Sequence, residues 1–156
     1  MDFAPSGQFL ASGDIDGAVR IYENESFELK GQVLNNHGRG VRCLKFTPDS
    51  AGLISGGEDL HMYLCDIETQ QRMLTLVNHA DWITSISFNP QDPKYFVSTS
   101  LDKTIKIWQV GHNKEIKNFE INDAGEGVWG AAFSPCGKYI AVSCQNGNII
   151  LVSFVA

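Results

Sequence analysis

No C-x-x-C pair occurs anywhere in the chain, and the four cysteines, Cys43, Cys65, Cys136 and Cys144, share no metal-type spacing with a histidine. That excludes a zinc ribbon or a dithiol redox motif, so the thiols are expected to be reduced, in an intracellular protein, and to serve as small apolar residues. Neither a metal nor another cofactor is expected. Apolar runs are short, and none approaches the roughly 18 residues that a membrane-crossing helix needs. The chain opens without a positively charged, apolar leader, so secretion is not expected and the triplet Asn24-Glu25-Ser26 reads as a chance glycosylation match. Positive charge is scarce: 12 Lys and Arg face 18 Asp and Glu, for a net charge of -6. A continuous phosphate-binding surface would have to be built against that field. No glycine loop closed by a lysine offers to cradle a nucleotide. Helical apolar periodicity is missing too. What remains, 43% hydrophobic and 19% charged residues, is the balance of an ordinary globular protein.

Two landmarks recur with one period. Phenylalanine followed two residues later by proline stands at Phe3/Pro5, Phe46/Pro48, Phe88/Pro90 and Phe133/Pro135, in steps of 43, 42 and 45 residues. Asp16, Asp59, Asp102 and Asn146 keep step at 43, 43 and 44, each leading into an alternating apolar stretch. A fixed period of this size marks a repeat architecture. In the third unit Ile83, Ile86 and Phe88 alternate up to a proline turn; Tyr95, Phe96 and Val97 follow, then a polar corner at Asp102, then Ile105, Ile107 and Trp108. Period-two alternation with Gly, Pro, Asn and Asp at the corners predicts three to four short strands per unit and an all-β fold. A β-sandwich also has evenly spaced strands, but two landmarks locked to one period argue against it. The units are expected at about 1–34, 35–77, 78–121 and 122–156.

The third unit, HADWITSISFNPQDPKYFVSTSLDKTIKIWQV, resembles the WD-repeat family along its whole length, with His79, the F-x-P turn, Ser98, Asp102 and Trp108 in their places. The resemblance implies a β-propeller of radial four-stranded blades. It also implies a buried hydrogen-bond network of His79, Ser98, Asp102 and Trp108, and a shortened one of His37, Ser55 and Asp59, because Cys65 replaces the aromatic residue. In the first unit Ser12, Asp16 and Tyr22 hold the serine, aspartate and aromatic places. The fourth is degenerate, with Ala124, Val142, Asn146 and Val152 in the four places, and it is expected to trade its network entirely for apolar packing. Across nearly the whole chain, LASGDIDG, the PDS turn, DKTIKIWQVG and VWGAAF with GKYIAVS are also similar to the C-terminal half of the WD-repeat subunits of superkiller complexes. Animal relatives of those subunits are also found with the RNA polymerase II-associated factor complex. That likeness implies a helicase and a helical-repeat scaffold as partners, in messenger-RNA decay or transcription elongation, and a cytoplasmic or nuclear location.

Propellers close with four to eight blades, and seven blades of about 43 residues would need roughly 300 residues. Four units therefore form an open arc, expected either to lack upstream blades or to pair with a second copy through its open blade edges. Function is expected at the loops before the innermost and third strands, where a rigid frame holds a protein-docking rim. Trp82 is the candidate anchor. Arg42, Thr84 and Trp129 occupy equivalent places facing the mouth of the channel, with Arg39, Asp81, Glu126, Ile15, Glu58, Leu101 and Gln145 around them. The bland alternative packs Trp82 and Trp129 against neighbouring blades and leaves the charges to solvent.

Two other classes fare worse. Ser98, His79 and Asp102 have the residue types of a catalytic triad, but their register with the blade period predicts burial. Lys103, Lys106, Lys114 and Lys117 suggest nucleic acid, yet they read as a solvated face. Another intracellular complex, or a nucleic-acid-binding propeller, is the alternative to the superkiller reading.

Overall fold

A computed structural model describes residues 1–35 and 37–154. Every regular element among them is a strand: β1 Asp2–Phe3, β2 Phe9–Gly13, β3 Ala18–Glu23, β4 Leu34–Asn35, β5 Val41–Phe46, β6 Gly52–Gly57, β7 His61–Asp66 and β8 Arg72–Val77. The second half adds β9 Ile83–Phe88, β10 Tyr95–Ser100, β11 Thr104–Gln109, β12 Glu115–Glu120, β13 Val128–Phe133, β14 Tyr139–Cys144 and β15 Ile149–Ser153. They form four antiparallel meanders in chain order, β1 to β4, β5 to β8, β9 to β12 and β13 to β15. These are the blades of a partial β-propeller, called blades 1 to 4 below.

The proline after each phenylalanine has no backbone N–H to continue a ladder, so the innermost strand stops there. The chain then folds back through a tight turn; in blade 2 the Thr47 amide donates to the Gly52 carbonyl (2.9 Å) and the Ser50 amide to Thr47 (2.8 Å). Adjacent blades bury three apolar layers. Ala11, Val19 and Ile21 of blade 1 cluster with Phe46, Leu53 and Cys65 of blade 2. Ile54, Met62 and Leu64 of blade 2 cluster with Ile86, Phe96 and Trp108 of blade 3. Val97, Ile105 and Ile107 of blade 3 cluster with Val128, Ile140 and Phe154 of blade 4.

Each complete innermost strand carries a bulge at the same place. Pairing with the second strand skips Arg42 between Val41 and Cys43, Thr84 between Ile83 and Ser85, and Trp129 between Val128 and Gly130. A bulge re-aims the skipped side chain. Two expectations need correcting. Cys136 is not packed as a small apolar residue; it is exposed in the turn after β13, its Sγ 3.2 Å from Ser134 Oγ, because that turn lies outside the blade core. Lys106 is not on a solvated face: it is buried in β11, which lies between β10 and β12, with Nζ 3.9 Å from Glu115 of β12.

Candidate protein-docking surface

The loops before the innermost strands and the turns between second and third strands share one rim, and two kinds of cross-link tie them together. The first is backbone to backbone and repeats in three blades. The Glu58 amide donates to Gly40 (2.9 Å), that of Leu101 to Trp82 (3.0 Å) and that of Gln145 to Gly127 (3.1 Å).

The second is the side-chain network. In blade 3 Trp108 Nε1–H donates to Ser98 Oγ (2.8 Å), which lies 2.7 Å from His79 Nε2; His79 Nδ1 lies 2.8 Å from Asp102 Oδ2. With the imidazole protonated at Nδ1, Ser98 donates to Nε2 and His79 donates to the carboxylate, so every group finds a partner. Burial acts to raise the Asp102 carboxyl, but hydrogen bonds from His79, Thr104 and the Ala80 amide outweigh it and hold the pKa well below the usual carboxylate range. Thr104, which the sequence pattern does not single out, donates to Asp102 Oδ1 (2.6 Å) and lies 3.2 Å from His79 Nδ1. Ser98 is fully enclosed and cannot present its oxygen to a substrate, which removes the geometric basis for a triad.

Blade 2 repeats the arrangement and repairs its own gap. His37 Nδ1 lies 2.9 Å from Asp59 and Nε2 lies 2.8 Å from Ser55 Oγ. Where tryptophan is replaced by Cys65, Tyr63 takes over from two residues earlier. Its ring stands edge-on to His37 (4.6 Å between centroids) and its hydroxyl donates to Asp59 (3.4 Å). Burial pushes the His37 pKa down, against the pull of Asp59, so the ring is held neutral. Burial also acts to raise Asp59, but its hydrogen bond with His37 leads a set of contacts that leave it lowered.

The outer blades tie their corners differently. In blade 1 Asp16 is exposed, and Asp14 instead accepts from the Asp16 and Ala18 amides (3.0 Å each) and pairs with Arg20. Blade 4 does pack Ala124 and Val142 in its apolar interior, yet the trade is not complete. Asn146 Nδ2 donates to the Asp123 carbonyl (2.6 Å), and the Glu126 amide donates to Gln145 Oε1 (2.9 Å). An amide can both donate and accept, so it still bridges two loops where the imidazole is lost.

On this frame blades 2 and 3 present one aromatic–charged cluster. The Arg42 guanidinium lies over the Trp82 ring (4.6 Å) and pairs with Glu58 (2.5 Å). Beside it is an open depression of about 510 Å³ lined by Gly38, Arg39, Glu58, Asp59, Leu60, Asp81 and Trp82. Trp82 is half-buried, Arg39 is exposed, and Asp81 accepts from the Trp82 amide (2.7 Å).

The other rim residues named from sequence are scattered. Ile15 stands out on blade 1, 83% exposed. Leu101 is half-buried against Gly127 of blade 4, where a Cβ would come within 2.7 Å of Leu101 Cα. Thr84 does not face the channel mouth freely; its Oγ1 lies 2.7 Å from Thr99 Oγ1 and 2.7 Å from the Val128 carbonyl. Trp129, 49% exposed, lies on blade 4 rather than in the Trp82 cluster. The pairing of Arg42 with Trp82 has no local signal, since the two are 40 positions apart on different blades.

Comparison with known proteins agrees with this geometry. The family described as "WD domain, G-beta repeat" matches residues 1–23, 29–66, 70–109 and 113–153. The chain is similar to WD repeat-containing protein 18 of Danio rerio (27% identical, covering 96% of this chain and 36% of that protein). It is also similar to Protein HIR1 of Kluyveromyces lactis (28%, 95% and 21%) and to Protein transport protein sec13 of Emericella nidulans (24%, 94% and 54%). The chain thus spans little more than half the length of the longest-covered of these relatives, and less of the others.

Proposed function

Because this chain belongs to the WD-repeat family, we propose that it is a non-catalytic scaffold that docks partner proteins on its corner loops, centred on Trp82 and the depression beside it. One observation carries the reading. An indole held by a cation on one face and framed by Arg39, Glu58 and Asp81 combines an apolar anchor with charges of both signs. Tryptophan and arginine contribute most to protein interfaces when they sit together within a rigid frame. The loops carrying them are cross-linked, so little conformational freedom is lost when a partner binds.

The relatives bear names from different settings, protein transport among them, and single out no one complex. The superkiller reading therefore rests on the quoted sequence likeness. It names a helicase and a helical-repeat scaffold as partners, and a cytoplasmic or nuclear location. Titrating that purified helicase–scaffold pair with the chain and with Trp82→Ala tests both levels. Saturable binding weakened at least tenfold by the substitution, at an unchanged melting temperature, supports the full reading. Binding that ignores the substitution removes Trp82 from the interface. No binding removes this partner pair.

A further inference from the structure

The loops that frame the Trp82 depression place unlike charges at equivalent positions on successive blades. Arg39 stands two residues before β5 and Asp81 two residues before β9, and both line the depression. Neither has an ion-pair partner among the described residues. Asp81 accepts the adjoining Trp82 amide, a neutral donor that leaves its charge unbalanced. The other carboxylates there are satisfied within the chain. Glu58 pairs with Arg42, and Asp59 lies against His37 and accepts from the Gly38 amide (3.1 Å). The same position on blade 4, Glu126, accepts from Gln145 Nε2 (3.2 Å). The depression therefore keeps one free cation on its blade 2 side and one free carboxylate on its blade 3 side.

An apolar pair completes the lining. Trp82 carries the Arg42 guanidinium over one face of its ring, and Leu60 lines the depression from blade 2. Leu60 follows the corner aspartate with φ 70°, in the left-handed region. In blades 1 and 4 the equivalent residues are Gly17 and Gly147, both at φ 87°, where the missing Cβ removes the strain. Blade 3 has Lys103 there at φ 66°, with its side chain exposed to solvent. Blade 2 alone among the four holds a bulky apolar side chain at this position, in a conformation that glycine adopts more easily, and strain of this kind collects at binding surfaces.

Resting on the docking reading above, we propose that the depression binds an exposed segment of a partner protein in which an apolar residue stands between an acidic and a basic one. The apolar side chain packs on Trp82 and Leu60, the acidic one meets Arg39 and the basic one meets Asp81. The order of the two charges sets the direction in which the segment runs around the rim, acid over blade 2 and base over blade 3. A nucleic acid fits worse, because its phosphates would satisfy Arg39 but stand against Asp81, Asp59 and Glu58. A wholly apolar segment would cover both free charges without pairing them, which disfavours it.

Random peptides displayed on phage, selected on the intact chain and counter-selected on Trp82→Ala, supply the probe. The enriched sequences are expected to share an apolar residue flanked by one acid and one base. A synthetic peptide of that consensus is expected to bind about fivefold more weakly to Arg39→Ala and to Asp81→Ala, the upper end for a single exposed ion pair. Leu60→Gly is expected to weaken binding about tenfold with no fall in melting temperature, because the leucine supplies apolar contact while its backbone conformation suits glycine. Exchanging the charges, with Arg39→Asp and Asp81→Arg together, is expected to invert the preference, so that a peptide with its acid and base exchanged binds better than the original. Trp82-dependent binders without the paired charges, unchanged binding by Leu60→Gly, or an exchanged variant that still prefers the original peptide would overturn this inference and leave the docking surface standing. An absence of any Trp82-dependent binder to the folded chain removes the docking surface and the inference with it.

Discussion

An imidazole between a serine and a carboxylate is the residue on which two of the four corners turn. His37 is buried, and folding lowers its affinity for a proton below that of the free side chain, pKa 6.5. Below that pH the unfolded chain binds more protons than the folded one, so stability falls as pH drops through 6.5 toward the lower folded value. Asp59 and Asp102 are depressed below their reference value of 3.8, so what they contribute is present above that pH and lost as pH falls through their folded pKa values. Melting temperature is therefore expected to be level between about pH 7 and 8, to decline from pH 6.5 downward, and to drop again below about pH 4. Replacing His37 with Gln should remove the upper step and keep the part of the lower one that Asp102 contributes. A melting temperature constant from pH 7.5 to 5, or an upper step that persists in the variant, would show that the imidazole is not the group titrating.

At the scale of the element, the corners are held by close approach as well as by side-chain bonds. Gly127 lies where a Cβ would fall 2.7 Å from both Cα and Cδ2 of Leu101, and the backbone atom cannot yield as a side-chain tip would. Gly127→Ala should push the blade 3 turn and the blade 4 loop apart at a cost of about 1–3 kcal/mol, the usual range for overpacking. Thermal unfolding checks the loss, and a neutral substitution would mean the loops slide past each other freely. These elements also mark how far the sequence could be read. Strands and corners were legible because each depends on spacing within about thirty residues and on period-two alternation, whereas the His79–Ser98–Asp102–Trp108 set was implied by the resemblance to the WD-repeat family. Tyr63 was not, because its substitution for the residue at Cys65 depends on strand register, which places Tyr63 opposite Ser55. Asp14 doing the work of Asp16, and the burial of Lys106 in β11, follow from side-chain directions that the pattern of residue types does not encode. The stacking of Arg42 on Trp82 required knowing which blades are neighbours and which residues the bulges release.

At the scale of the whole molecule, a stack of blades in which each touches only its neighbours has a stability that varies along the chain. Blade 3 has a four-residue network, four strands and apolar layers on both faces. Blade 2 is covered on both faces as well, with Tyr63 completing its network. Among the described residues blade 4 has three strands, with β15 outermost and its Ile149 and Leu151 exposed. Amide hydrogens open in cooperative units whose free energy follows buried contacts and satisfied polar groups. Protection is therefore expected to be greatest in β10 and β11, nearly as great in β6 and β7, and least in β15, in native-state hydrogen exchange followed by peptide mass. Uniform protection across all four blades would mean that the chain unfolds as one unit and that the networks of blades 2 and 3 confer no local advantage. Protection in β15 matching β10 would place a further strand along its edge.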